Sequence, residues 1–103
     1  MTEQQLQKKI ISYLEARNYY VVKTVVCNKK GVPDILACSP EGRFIAIEVK
    51  APGKLGTTSA LQNYNLQQIS SCGGLSIAVD SLKKSKKFYN FFHLGGLHFL
   101  QLW

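Results

Sequence analysis

Acidic residues are scarce in this sequence: six Asp and Glu stand against thirteen Lys and Arg in 103 residues, a formal net charge of +7. Cysteine is scarce as well, at Cys27, Cys38 and Cys72. An odd count at wide spacing, without a C-x-x-C pair, argues against a disulfide framework or a zinc site. The three read as small buried residues in a reducing compartment. No apolar run approaches the ~20 residues that span a bilayer. The N-terminus, MTEQQLQKKIISYLEARN, lacks the continuous apolar stretch of a signal peptide. These absences predict a cytoplasmic protein, with no membrane partner and no small-molecule cofactor. An apolar content of 46% excludes a disordered chain. The length allows one domain over 1–103, with a core over about 2–80 and an extension over 81–103.

What is abundant is positive charge, the electrostatic footprint of nucleic-acid binding in so small a domain. The six acids divide by position. Glu3, Asp34 and Glu48 fall where the hydrophobic pattern turns them inward, whereas Glu15, Glu41 and Asp80 read as ordinary surface residues. A basic protein that gathers its few carboxylates in one place has a use for them.

Residues 2–17 carry Leu6, Ile10, Tyr13 and Leu14 at helical spacing, with Thr2 and Gln5 in a capping-box pattern and Glu3 on the buried stripe. Strands are expected over 19–26, 33–38, 43–50 and 75–79. The third strand is apolar on both faces and so central in its sheet. Residues 51–58, with one Pro and two Gly, form a loop, and 59–72 a helix ended by Gly73 and Gly74. The link from the third strand through that helix to the fourth is a βαβ unit, so those strands run parallel. Over 81–92 a third helix is expected, then a strand over 97–102. A hairpin about Gly95 and Gly96, setting His93 opposite His98, is the alternative.

The chemistry concentrates in Gly31-Val32-Pro33-Asp34 and Ile45-Ala46-Ile47-Glu48-Val49-Lys50. If Ser39 faces Arg43 across the turn, then Leu36 faces Ala46 and Asp34 faces Glu48. Opposed residues have Cβ atoms ~5 Å apart, and two carboxylates so close repel unless a proton or cation lies between them. Mg²⁺ or Mn²⁺ suits such a pair, completed by the Val49 carbonyl, water and phosphate oxygens. Lys50 projects from the same face as Glu48 and is placed to stabilise charge on a phosphoryl group. Gln62, on the inward stripe of the second helix, can position water or a phosphate oxygen. Glu3 can reach the cation through water. Lys29, Lys30 and Lys54 flank this site, and Lys83, Lys84, Lys86 and Lys87 line the expected third helix, all as phosphate contacts.

Asp34 with Glu48-Val49-Lys50 resembles the PD-(D/E)XK nuclease signature. Gly31-Val32-Pro33, Glu3 and Gln62 are similar to the virus-type replication-repair nuclease (VRR-NUC) branch of that superfamily. The resemblance covers about residues 2–79. It implies an α/β, restriction-endonuclease-like core: a mixed sheet of about four strands flanked by helices, in the order αβββαβ, with a C-terminal helix and strand beyond. It also implies a Mg²⁺- or Mn²⁺-dependent endonuclease acting on DNA. Asp34, Glu48 and the Val49 carbonyl would be metal ligands and Glu3 an auxiliary one, with Lys50 as the catalytic lysine and Gln62 as an accessory polar residue. Free-standing members of phage type resemble Holliday-junction resolvases that act on four-way DNA as homodimers. The aromatic stretch 88–103 is the candidate interface, because it offers much apolar area. Two alternatives remain open: a basic binding module that does not cut, and a flap-specific or sequence-specific nicking nuclease on the same scaffold.

Overall fold

In the computed structural model, which describes residues 1–90, helix α1 (Glu3–Glu15) leads into strands β1 (Tyr20–Lys23), β2 (Ile35–Cys38) and β3 (Phe44–Val49). Helix α2 (Ala60–Ser71) and strand β4 (Leu75–Val79) follow, then helix α3 over 82–90. The sheet is four-stranded in the order β1-β2-β3-β4, with β1, β2 and β3 antiparallel and β4 parallel to β3. This is the mixed restriction-endonuclease-like core expected.

Local chemistry sets the element ends. Thr2 caps α1, its hydroxyl accepting from Gln5 N–H while the Gln5 side chain accepts from Thr2 N–H. Asn18, at φ 65°, supplies the left-handed residue that turns the chain out of α1 into β1. Between β2 and β3 the Ser39 N–H donates to the Arg43 carbonyl and Gly42 takes φ 85°. That closed turn fixes the register Cys38↔Phe44, Leu36↔Ala46, Ile35↔Ile47, as the hydrophobic pattern predicts.

The register sorts the sheet into two faces. Ile35, Ala37, Ile45, Ile47 and Val49 join Leu6, Ile10 and Leu14 of α1 in the core. Full burial of each large aliphatic side chain contributes roughly 1.5–3 kcal/mol. The even-numbered residues of β3 lie on the other face, towards α2. Alternation thus sends Glu48 and Lys50 to one side and the hydrophobic core to the other.

Four expectations are corrected. β1 ends at Lys23 rather than Val26: the last bond to β2 runs from Thr24 N–H to the Asp34 carbonyl at 2.9 Å, and Val25 and Val26 lie beyond it in the loop. All three cysteines are exposed: Cys38 ends β2, Cys72 caps α2, and Cys27 sits in the β1–β2 loop. Asp80 is buried, accepting from Gly53 N–H at 3.3 Å and pairing with Lys84 at 2.8 Å. The Lys84 ammonium holds its carboxyl below the usual range. Finally, the core continues past residue 80. Tyr89 is buried against Tyr13, Tyr19 and Phe88, and Ser85 is fully enclosed. Tyr89 therefore belongs to the interior, not to an interface. The expected strand over 97–102, the hairpin placing His93 opposite His98, and the rest of the proposed interface from residue 91 on lie outside the described residues.

Candidate active site

Asp34 follows Pro33, one residue before β2, and Glu48 is the fifth residue of β3. Extending the β2–β3 register by one residue sets them opposite each other. Their carboxyls are close enough to share a hydrogen bond. Asp34 Oδ2 also accepts the Val49 backbone N–H at 2.7 Å, a bond that fixes the carboxylate at the end of the ladder.

Glu48 is 2% exposed. Burial, then the hydrogen bond and negative charge of Asp34, push its carboxyl up to about 8, opposed by Lys50 and reinforced by Glu3. This drives the pair towards sharing a proton. Paired carboxylates that keep a proton between them offer that place to a cation. Among the described residues no three His, Cys, Asp or Glu side chains converge on one point. Two carboxylates beside a backbone carbonyl are the kind of oxygen donors that hold Mg²⁺ together with water and phosphate.

Lys50 leaves the end of β3 on the Glu48 side. Its backbone N–H donates to the Val79 carbonyl of β4 at 2.9 Å, and its buried ammonium lies 3.8 Å from Glu48 Oε2. Gln62 joins the two groups. Its Oε1 accepts from Lys50 Nζ at 2.9 Å and its Nε2 donates to Glu48 Oε2 at 3.3 Å. The same Oε1 accepts Ser59 N–H at 2.9 Å, closing a capping box at the start of α2 with Ser59 Oγ and Gln62 N–H. The device that starts α2 thereby also aims Gln62 at the sheet. The Ser-x-x-Gln spacing that builds it is a local signal, legible in the sequence.

Glu3, half-buried at the first turn of α1, acts on Glu48 through its charge. Lys29, Lys30 and Lys54 are exposed on the loops that lead into Asp34 and out of Lys50. Lys83, Lys84, Lys86 and Lys87 are exposed on α3, where Lys84 pairs with Asp80 and Lys86 sits 5.0 Å over the Tyr13 ring.

The loop before Asp34 is anchored by contacts that no local sequence pattern announces. Thr24 Oγ1 donates to the Pro33 carbonyl at 2.9 Å, and Asn65 Nδ2 of α2 donates to the Lys30 carbonyl at 3.0 Å. Gly31, at φ 76°, lies so close to α2 that a Cβ there would stand 2.8 Å from Leu61 Cγ.

A protein named "Putative nuclease p44", from Acyrthosiphon pisum secondary endosymbiont phage 1, is 30% identical over 79 residues, covering 77% of this chain and 83% of that protein. A solved structure described as a VRR_NUC domain superposes with a TM-score of 0.76 at 25% identity, covering 87% of this chain and 97% of that one. The chain belongs to the VRR-NUC family. A second structure, described as a VRR_NUC domain protein, shares the fold at 14% identity and a TM-score of 0.72. No sequence-family profile matches the chain. Membership in VRR-NUC supports a nuclease. Among the described residues no helix is long and apolar enough to cross a membrane.

Proposed function

We propose that this VRR-NUC domain is a Mg²⁺- or Mn²⁺-dependent DNA endonuclease, acting on branched DNA as a homodimer, with a four-way junction as its substrate. The observation that carries the reading is the opposition of Asp34 and Glu48 at the end of a β-ladder, with the Lys50 ammonium beside them.

In this reading Asp34, Glu48 and the Val49 carbonyl hold the ion, with Glu3 acting through water. When bound, such an ion polarises the phosphoryl oxygen and makes water a better nucleophile near neutral pH. Lys50 places a positive charge where negative charge grows on the phosphoryl oxygens. Gln62, bonded to both Lys50 and Glu48, holds that ammonium in place without adding a charge of its own. Lys29, Lys30 and Lys54 grip the phosphate backbone on either side, and the overall charge of +7 draws DNA in. Lys83 and Lys87 extend that basic surface, while Lys84 and Lys86 are engaged within the fold. Cutting two strands symmetrically needs two sites, which a two-fold pair of these small domains supplies.

The test incubates labelled four-way junction, flap and linear duplex with Mg²⁺, Mn²⁺ or EDTA. Metal-dependent nicking of the junction, lost in Lys50→Ala with binding kept, is the expected result. Binding with no metal-dependent nicking overturns the enzyme in favour of a binding module. Cutting of flaps or of plain duplex at fixed sites overturns the junction assignment. Sedimentation showing monomer alone at micromolar concentration overturns the homodimer.

A further inference from the structure

We propose that the start of the β1–β2 loop is an apolar wedge that enters DNA where base stacking is already interrupted. Val25 and Val26, consecutive and outside any strand, are 86% and 90% exposed. Water contact on two branched aliphatic side chains is unfavourable, and the chain has not tucked them in. The loop that carries them is held at several points. Thr24 N–H bonds the Asp34 carbonyl, Thr24 Oγ1 bonds the Pro33 carbonyl, and Asn65 of α2 grips Lys30. Thr24 is thus tied across the hairpin to Asp34, and each further residue advances the chain by at most ~3.6 Å. The two valines consequently stand within about two residues of the row that carries the catalytic carboxylate.

The surroundings choose the partner. Lys23 lies two residues before Val25, and Lys29 and Lys30 follow on the same loop; all three are exposed. In a two-fold contact through this loop the lysines of one copy would face those of the other, and like charges opposed in this way repel. A phosphate backbone neutralises all three while the valines pass between them. Apolar side chains enter DNA by parting a base step, which costs unstacking free energy. That cost is lowest at a branch point or a nick, so the wedge favours such DNA over continuous duplex. This inference rests on DNA being the substrate and adds to it the element that senses broken stacking.

The test measures binding, with Ca²⁺ in place of Mg²⁺ so that no strand is cut, on a four-way junction carrying 2-aminopurine at the branch and on a matched duplex. Wild type is expected to raise the branch fluorescence. Val25→Ser/Val26→Ser, whose changes lie on the surface, should abolish that rise. It should also lower the junction-over-duplex affinity ratio by about tenfold, with thermal unfolding unchanged. Lys29→Ala/Lys30→Ala should weaken binding to both DNAs and flatten the salt dependence. A serine variant that keeps both the fluorescence rise and the ratio overturns the wedge. So does one that changes a dimer into a monomer while the fluorescence response persists, since the valines then bind a second copy. A fluorescence rise in wild type without metal-dependent cleavage of any DNA overturns the nuclease reading and leaves the wedge supported.

Discussion

Asp34 accepts the backbone N–H of Val49 through Oδ2 at 2.7 Å, while Val49 itself lies between Glu48 and Lys50. One carboxylate thus closes the β2–β3 ladder and faces the other acid of the pair. Its structural and chemical duties can be separated. Asp34→Asn keeps an acceptor for Val49 N–H, so thermal stability should stay near wild type while metal-dependent cleavage falls by about 100-fold or more. Asp34→Ala should lose cleavage equally and, with the buried N–H left unpaired, also about 1–3 kcal/mol of stability in urea unfolding. If the asparagine variant cleaves normally, Asp34 is a turn residue and no more.

The raised Glu48 carboxyl makes stability depend on pH. Folded Glu48 binds its proton up to about pH 8, whereas the unfolded chain releases it near the ordinary value of 4.5. Between these limits the native state holds more protons than the unfolded state, so metal-free stability is full below about 4.5 and falls as pH rises towards 8. The loss should be on the order of a few kcal/mol. Urea unfolding in EDTA at pH 5, 6, 7 and 8 measures it, and Glu48→Gln should remove most of the slope. Added Mg²⁺ should reverse the trend and release close to one proton at pH 7, read by calorimetry in buffers of different ionisation enthalpy. A flat pH profile for wild type would contradict the buried, acid-flanked position of Glu48.

Gln62 couples the start of α2 to Lys50 and Glu48. Gln62→Ala should cost about 1 kcal/mol through the lost capping box. It should also slow cleavage about tenfold by freeing the ammonium. Ser59→Ala breaks the hydroxyl half of the same cap without touching Lys50, so its loss of stability should bring little loss of rate. Equal rates for both variants would assign Gln62 to the helix cap alone.

Gly31 holds the loop before Asp34 against α2. Gly31→Ala meets both an unfavourable φ and a 2.8 Å approach to Leu61 Cγ. Stability should fall by roughly 1–2 kcal/mol or more, and cleavage should fall with it. Leu61→Ala in the same background should return part of the loss, since it removes the obstructing side chain.

Much of this was legible in the sequence because the signals were local. Capping residues started α1, period-two alternation set the faces of β3, and the short turn at 39–43 fixed a register that continues to Asp34 and Glu48. The βαβ connection required β4 to run parallel to β3. The misplaced residues were those whose surroundings come from distant chain. Asp80 looks solvated until Gly53 and Lys84 close over it, and Tyr89 looks like a surface aromatic until Tyr13 and Tyr19 stack on it. The cysteines looked buried because free cysteine usually is, but each stands at the end of an element or in a loop and is exposed there.

By itself, the sequence determined the order of elements, the strand register and therefore which carboxylates meet, since hydrogen-bond pairing and alternation are properties of short stretches of chain. Tertiary structure alone decided how Gln62 bridges Lys50 and Glu48, how strongly Glu48 keeps its proton, and that Val25 and Val26 stay in water. These depend on how α2 and the loops pack over the end of the sheet. Desolvation and charge proximity are sums over neighbours in space, and neighbours far apart in sequence become known once the chain has closed.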